Sequence, residues 1–191
     1  MENTFIYLTG FPGTGKYTIA KEICSVTNMR LVDNHLINNP VFSLIETEGR
    51  KLPERVWRNI GHIWDVVFDT IHNLSPPKAG FVLTNSLYDD ETDRAWYAKV
   101  LKNVEQRQGL FIPVKLTIGE DALLARRDTP ERRQRLKCTN KDNALNDLRA
   151  RRTLPFVHPN TVQLDVSDLT AEQAAKIILD RARKLKNPAE D

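Results

Sequence analysis

The chain has 191 residues, 40% hydrophobic and 28% charged, enough apolar content to bury one core. Its 28 basic and 25 acidic residues leave a net charge of +3, too small an excess to mark a nucleic-acid binder. No apolar run approaches the ~18 residues that span a bilayer, Cys24 and Cys138 fit no metal or redox spacing, and a strand starting near residue 4 leaves no room for a signal peptide; the expectation is one cytoplasmic domain over 1–191.

In chain order, Thr4 to Thr9 reads as a buried strand running into Gly10-Phe11-Pro12-Gly13-Thr14-Gly15-Lys16-Tyr17-Thr18. Glycines at that spacing allow unusual dihedrals, so that successive backbone N–H groups turn inward on an anion. The helix expected from Lys16 to Val26 adds its positive end, and Lys16 reaches the terminal phosphates of a triphosphate. Gly10, Pro12, Gly13, Thr14, Gly15, Lys16, Tyr17 and Thr18 are therefore the candidate nucleotide-binding residues. The general motif puts Ser or Thr directly after the lysine as a Mg²⁺ ligand; here Tyr17 stands there, with Thr18 next.

Met29 to Asp33 reads as a second strand, separated from the first by one helix as in a parallel crossover unit. Ligands of open α/β sheets bind at the carboxyl ends of strands, which makes Asp33 a candidate functional carboxylate, with capping or a turn as the structural alternative. His35 is balanced between a substrate contact and a structural role; His62, His72 and His158 read as structural. Residues 41–52 are mixed. Pro53 then opens a helix to about Asn73, whose apolar stripe runs through Val56, Ile60, Ile63, Trp64, Val67 and Ile71. Trp57 and Trp64, seven apart, read as packing, and Arg50, Arg55 and Arg58 could hold an anionic acceptor or form a solvated face.

Phe81 to Thr84 is the third strand, ending in Asn85 and Ser86; Asp89 and Asp90 read as caps of a helix from Glu91 to Gln108. A fourth strand lies within 110–118, and a short helix starts near Gly119. From Arg126 to Lys137, five arginines and one lysine stand beside two acids, a charge excess that an anion such as a triphosphate would relieve. After a helical stretch from about Asp142 to Ala150 come Arg151 and Arg152; with Arg149 they are expected to flank this basic segment. Thr161 to Val166 is the fifth strand, and Thr170 to Gln173 form a capping box that opens a last helix to about Lys186.

The form Gly-x-Pro-Gly-x-Gly-Lys-x-Thr resembles the phosphate loop of the small P-loop kinases, the group of adenylate, shikimate, gluconate and chloramphenicol kinases, and the order of elements is similar over nearly the whole chain. The resemblance implies a three-layer α/β/α fold with a five-stranded parallel sheet in the order 2-3-1-4-5, an acceptor-binding region at about 34–74 and an arginine-rich lid at about 126–152. It also implies that Thr18 grips the α-phosphate, that Mg²⁺ is held through phosphates and water rather than by a protein metal site, and that the loop after the fifth strand sits near the adenine. Asp33 would handle an acceptor hydroxyl, Lys16 the β- and γ-phosphates, and Arg126, Arg132 and Arg135 the charge on the moving phosphoryl group, with Arg127 at the nucleotide. Thr84-Asn85-Ser86-Leu87-Tyr88 replaces the Asp-Gly-Phe-Pro-Arg run of the nucleoside monophosphate kinases. The expected activity is ATP-dependent phosphorylation of a hydroxyl on a small metabolite or antibiotic-like molecule, with ATP and that acceptor as the partners and neither nucleic acid nor membrane. A divergent nucleoside or nucleotide kinase and a non-catalytic ATP sensor are the alternatives.

Overall fold

A computed structural model describes residues 1–47, 52–126 and 141–187. Five strands, β1 (Thr4–Gly10), β2 (Arg30–Asp33), β3 (Phe81–Asn85), β4 (Leu110–Thr117) and β5 (Val162–Asp165), form one sheet in the order β2-β3-β1-β4-β5. Every pairing is parallel, which requires a crossover between successive strands. The helices that make those crossovers among the described residues are α1 (Lys16–Ser25), α2 (Asn34–Phe42), α3 (Glu54–Asp69), α4 (Glu91–Gln106), α5 (Glu120–Ala125) and α6 (Lys141–Ala150); α7 (Ala171–Lys186) follows β5.

All seven residues of β1 are buried, as expected of a strand covered on both faces. Ile6 and Leu8 meet Ile19 and Ile23 of α1 and Ala174 and Ile178 of α7; Phe5 and Tyr7 meet Ile60, Trp64 and Phe68 of α3 and Val100 and Val104 of α4. Burying side chains of this size favours the fold by about 1.5–3 kcal/mol each, so the two cores set the strand register and hold the carboxyl ends of β1, β2 and β3 level. Leu8 of β1, Thr84 of β3 and Asp33 of β2 lie in one row across the sheet.

Two elements and one side chain depart from the sequence expectation. Asn34 to Phe42 form a helix directly after β2, with Pro40 inside it, where sequence reading finds only a polar strand end. The α3 helix ends at Asp69, and the chain continues as a π turn over Thr70–Leu74 instead of α-helix to about Asn73. There Thr70 Oγ1 donates to the carbonyl of Val66 at 2.8 Å, a back-bond that bends helices, and Ser75 N donates to Thr70 O at 2.9 Å. Trp57 is half exposed, its ring edge-on to Phe42 at 5.9 Å, whereas Trp64 is in the core as expected. The expected capping box is present: Gln173 N donates to Thr170 Oγ1 and Thr170 N to Gln173 Oε1. No helix of the described residues is long and apolar enough to cross a membrane.

Candidate active site

The loop between β1 and α1 adopts a conformation that depends on its glycines. Gly10, Gly13 and Gly15 have φ of +148°, +113° and +82°, values that side chains rarely permit. Space is equally restrictive: a Cβ on Gly13 would stand 2.4 Å from Leu123 Cδ1 and one on Gly10 2.5 Å from the Leu116 carbonyl. Thr14 closes the turn, its N–H and its hydroxyl both donating to the Phe11 carbonyl, at 3.2 and 3.0 Å. Lys16 Nζ donates to the carbonyls of Gly10 at 2.7 Å and Phe11 at 2.9 Å, so the ammonium arches back over the loop. The first turn of α1 has no acidic residue and no side-chain cap, which leaves its amides directed at the loop's concavity. That cradle suits the phosphates of a nucleotide. Tyr17 is half-buried with Lys21 Nζ 5.7 Å from its ring centroid, and Thr18 is exposed.

Asp33 is 1% exposed and accepts a hydrogen bond of 2.6 Å from the hydroxyl of Thr84. The backbone N–H of Asn34 donates to the same hydroxyl at 3.3 Å, which orients its proton toward the carboxylate. Asp33 occupies the N-cap position of α2 but makes no side-chain cap; its side chain is turned to β3 instead. Asn85, at the end of β3, hydrogen-bonds Tyr7, whose hydroxyl also accepts from Trp96 Nε1 at 3.1 Å. Burial pushes the Tyr7 hydroxyl far above its ordinary value, so it remains neutral. His35 Nδ1 lies 3.2 Å from Asn39 Oδ1 within α2, its ring against Phe42.

Asp90 caps α4 as expected, accepting from Asp93 N at 2.9 Å, whereas Asp89 pairs with Arg94 at 2.5 Å. The loop after β3 is joined to the chain beyond α6 by an antiparallel bridge between Tyr88 and Thr153, flanked by Asp89 N to Arg152 O at 2.9 Å and Leu154 N to Leu87 O at 3.1 Å. Arg151 stacks on the Tyr88 ring at 3.2 Å from its centroid, and the Tyr88 ring in turn meets Phe11 of the phosphate loop edge-on at 5.9 Å. Neither this strap nor the Thr84 contact has a signal in the sequence, because both join residues more than fifty positions apart.

The expected arginines divide. Arg127, Arg132 and Arg135, with Arg50 and Cys138, lie outside the described residues. Sequence reading puts Arg126 at the moving phosphoryl group; here its Nη2 donates to the carbonyls of Val166, Ser167 and Leu169 at 2.8, 3.0 and 3.2 Å, tying it to the loop between β5 and α7. Arg149 grips Glu120 of α5 with two bonds of 2.9 and 2.5 Å, which holds the Glu120 carboxyl below its ordinary range. Arg55 and Arg58 are exposed on the first turns of α3. Cys24 is half-buried, and burial raises its thiol to about 11, the opposite of what a nucleophile needs. His158 packs edge-on against Phe111 and accepts from Asn160 N at 3.2 Å.

No family model and no curated protein matches the sequence. Solved structures do match. A gluconokinase from Sinorhizobium meliloti 1021 superposes with a TM-score of 0.63 at 16% identity, covering 97% of this chain and 95% of that one. Shikimate kinase from Acinetobacter baumannii, in complex with shikimate, gives 0.60 at 20% identity over 96% of this chain and 95% of its own. The fold is that of the small P-loop kinases. Kti12 from Chaetomium thermophilum, solved with ADP-AlF3, shares this P-loop kinase fold, with a TM-score of 0.57 at 16% identity over 94% of this chain and 97% of that one. The expected architecture and strand order are therefore present.

Proposed function

We propose that this chain is an ATP-dependent kinase that transfers the γ-phosphoryl group to a hydroxyl of a small metabolite or antibiotic-like molecule. One observation carries the reading: a buried carboxylate, Asp33, stands two strands from the phosphate loop, at the same level of the sheet and with its geometry set by Thr84. At that level of the sheet a carboxylate can serve an acceptor hydroxyl beside the γ-phosphate, which supports a kinase over a module that only binds nucleotide. Two structural neighbours, a gluconokinase and a shikimate kinase bound to shikimate, are by name kinases of hydroxylated small molecules, which favours the same class.

In this mechanism the amides of 13–16 and the Lys16 ammonium hold the β- and γ-phosphates. Lys16 exchanges its present carbonyl partners for phosphate oxygens, a trade that strengthens each hydrogen bond because the acceptor becomes charged. Asp33 orients the acceptor hydroxyl and takes its proton as the oxygen bonds to the γ-phosphorus; the bond to the β-bridging oxygen breaks and ADP leaves. Thr18 contacts the α-phosphate, and Arg126 braces the loop beside the base. Arg132 and Arg135 neutralise charge on the transferred group, with Arg127 at the nucleotide. Among the described residues no cluster of three His, Cys, Asp or Glu side chains could hold a metal; a magnesium ion would arrive bound to ATP, keep water in its shell, and neutralise phosphate charge.

The test is ADP release from Mg-ATP with pooled hydroxylated metabolites, aminoglycosides, phenicols and nucleosides, with Lys16→Ala as control. Stimulation by one metabolite or antibiotic pool, reduced roughly 10²-fold or more in the control, is the expected result. Stimulation by nucleosides alone would replace it with a nucleoside kinase. Asn85 at the end of β3, where this fold often carries an acid that organises metal-bound water, favours a second reading as an ATP sensor, which predicts ATP binding with no stimulated turnover.

A further inference from the structure

Phe11 is the one aromatic residue between β1 and α1, and its neighbours leave it loosely specified. Gly10 and Gly13, both at positive φ, stand on either side of Phe11-Pro12, so the backbone there has access to conformations that other residues rarely adopt. Phe11 is nevertheless the hub of the loop. Its carbonyl accepts from Lys16 Nζ at 2.9 Å, from Thr14 N at 3.2 Å and from the Thr14 hydroxyl at 3.0 Å. Whatever fixes Phe11 therefore fixes the lysine and the turn that aims the amides after it.

Two hydrophobic cores cover the sheet, and the Phe11 ring belongs to neither. Among the described residues its one ring contact is Tyr88, edge-on at 5.9 Å. Tyr88 is itself held at backbone and ring. Its N–H donates to Asp93 Oδ2 at 2.6 Å, its carbonyl accepts from Asp90 N at 2.9 Å, and it bridges Thr153. The Arg151 guanidinium lies 3.2 Å from the ring centroid, with Asp90 at 3.7 Å and Asp147 at 4.0 Å as its own anchors. Edge-to-face ring pairs add attraction beyond the area they bury, so a ring fixed in this way restrains its glycine-flanked partner.

We propose that Tyr88 is a positioning residue of the nucleotide cradle, its ring clamping Phe11 and so preorganising the phosphate loop for the phosphates of the nucleotide. The inference rests on the loop as a nucleotide site, as the kinase reading does, but not on turnover. Without the clamp the loop has to be ordered at the moment of binding, and that ordering appears as lost affinity. The ring, which touches Phe11, carries the effect; the hydroxyl, 3.4 Å from Asp147 Oδ2 of α6, does not.

The experiment is calorimetry of Mg-AMP-PNP binding to the full chain as wild type, Tyr88→Leu, Tyr88→Phe, Phe11→Leu and the Tyr88→Leu/Phe11→Leu double variant. Tyr88→Leu and Phe11→Leu should each weaken binding by about three- to tenfold, the equivalent of one aromatic pair. Tyr88→Phe should stay within about twofold of wild type. The double variant should bind no more weakly than the weaker single variant, because each change removes the same contact. In ADP release the Tyr88→Leu loss should fall on KM for ATP, with kcat within about twofold. Both residues are half-buried and outside the cores, so the variants are expected to fold, and Phe11→Leu tests the contact from the side that leaves the strap intact. Three results overturn the proposal: Tyr88→Leu binding like wild type, Tyr88→Phe losing as much as Tyr88→Leu, or losses that multiply in the double variant. Failure of the kinase reading looks different, since the affinities would follow the expected pattern while no acceptor pool stimulated ADP release. No AMP-PNP binding by wild type would overturn both.

Discussion

Thr84 and Asp33, 51 residues apart in sequence, meet at 2.6 Å across the β2–β3 pair, the hydroxyl donating to a carboxylate that is 1% exposed. The contact does two things at once. It supplies a donor to a buried charge and aims the carboxylate along the carboxyl rim of the sheet, where Leu8 leads into the phosphate loop.

Asp33→Asn should lower kcat by roughly 10²–10⁴-fold, the range for a positioned general base, with ATP affinity within about twofold of wild type. Thr84→Val removes only the donor and should cost about 1.5–3 kcal/mol in urea unfolding, the range for a hydrogen bond to a charged group. Thr84→Ser keeps the hydroxyl and should recover most of that. Equal stability of the Val and Ser variants would show that the hydroxyl does not support the carboxylate.

Gly13→Ala combines two penalties that can be separated. Its Cβ would stand 2.4 Å from Leu123 Cδ1, and its φ of +113° is strained for any side chain. Adding Leu123→Ala relieves the first and not the second, so the double variant should regain part of the lost ATP affinity and remain weaker than Leu123→Ala alone by the equivalent of about 1–3 kcal/mol. Binding measured by calorimetry decides it.

Arg126 braces three carbonyls of the loop between β5 and α7. On the proposed kinase reading, with that loop beside the nucleotide, Arg126→Ala should raise KM for ATP by about tenfold while lowering kcat by less than that. A fall in kcat with KM unchanged would return Arg126 to the group at the transferred phosphoryl.

His158 predicts a pH dependence. Burial against Phe111 lowers its pKa below the ordinary 6.5, so the folded state favours the neutral ring. Its contribution is present above the unfolded value of about 6.5 and is lost as pH falls through the folded value. The urea midpoint of wild type should drop between pH 7.5 and 5.5 more than that of His158→Gln, which cannot titrate.

The phosphate loop was legible because three glycines and a lysine leave few other readings, and their dihedrals and close contacts explain why no other residue serves. The strands were legible as apolar runs, and the capping box as a local pattern of four residues. What sequence reading missed has specific causes. Asn34, Asn38, Asn39 and Pro40 have poor intrinsic helix propensity, so α2 is set by tertiary packing of Ile37 and Val41 against the core under α3. Trp57 and Trp64 share a seven-residue spacing but not an environment, since 51% of Trp57 is exposed.

The strap between 87–89 and 152–154 has a mechanical meaning. Backbone hydrogen bonds join the loop after β3 to the chain leaving α6, and Arg149 and Glu120 clamp α6 to α5. Tyr88 on this strap meets Phe11 of the loop between β1 and α1, so a displacement at any of these segments is passed to the others through direct contacts rather than through the sheet.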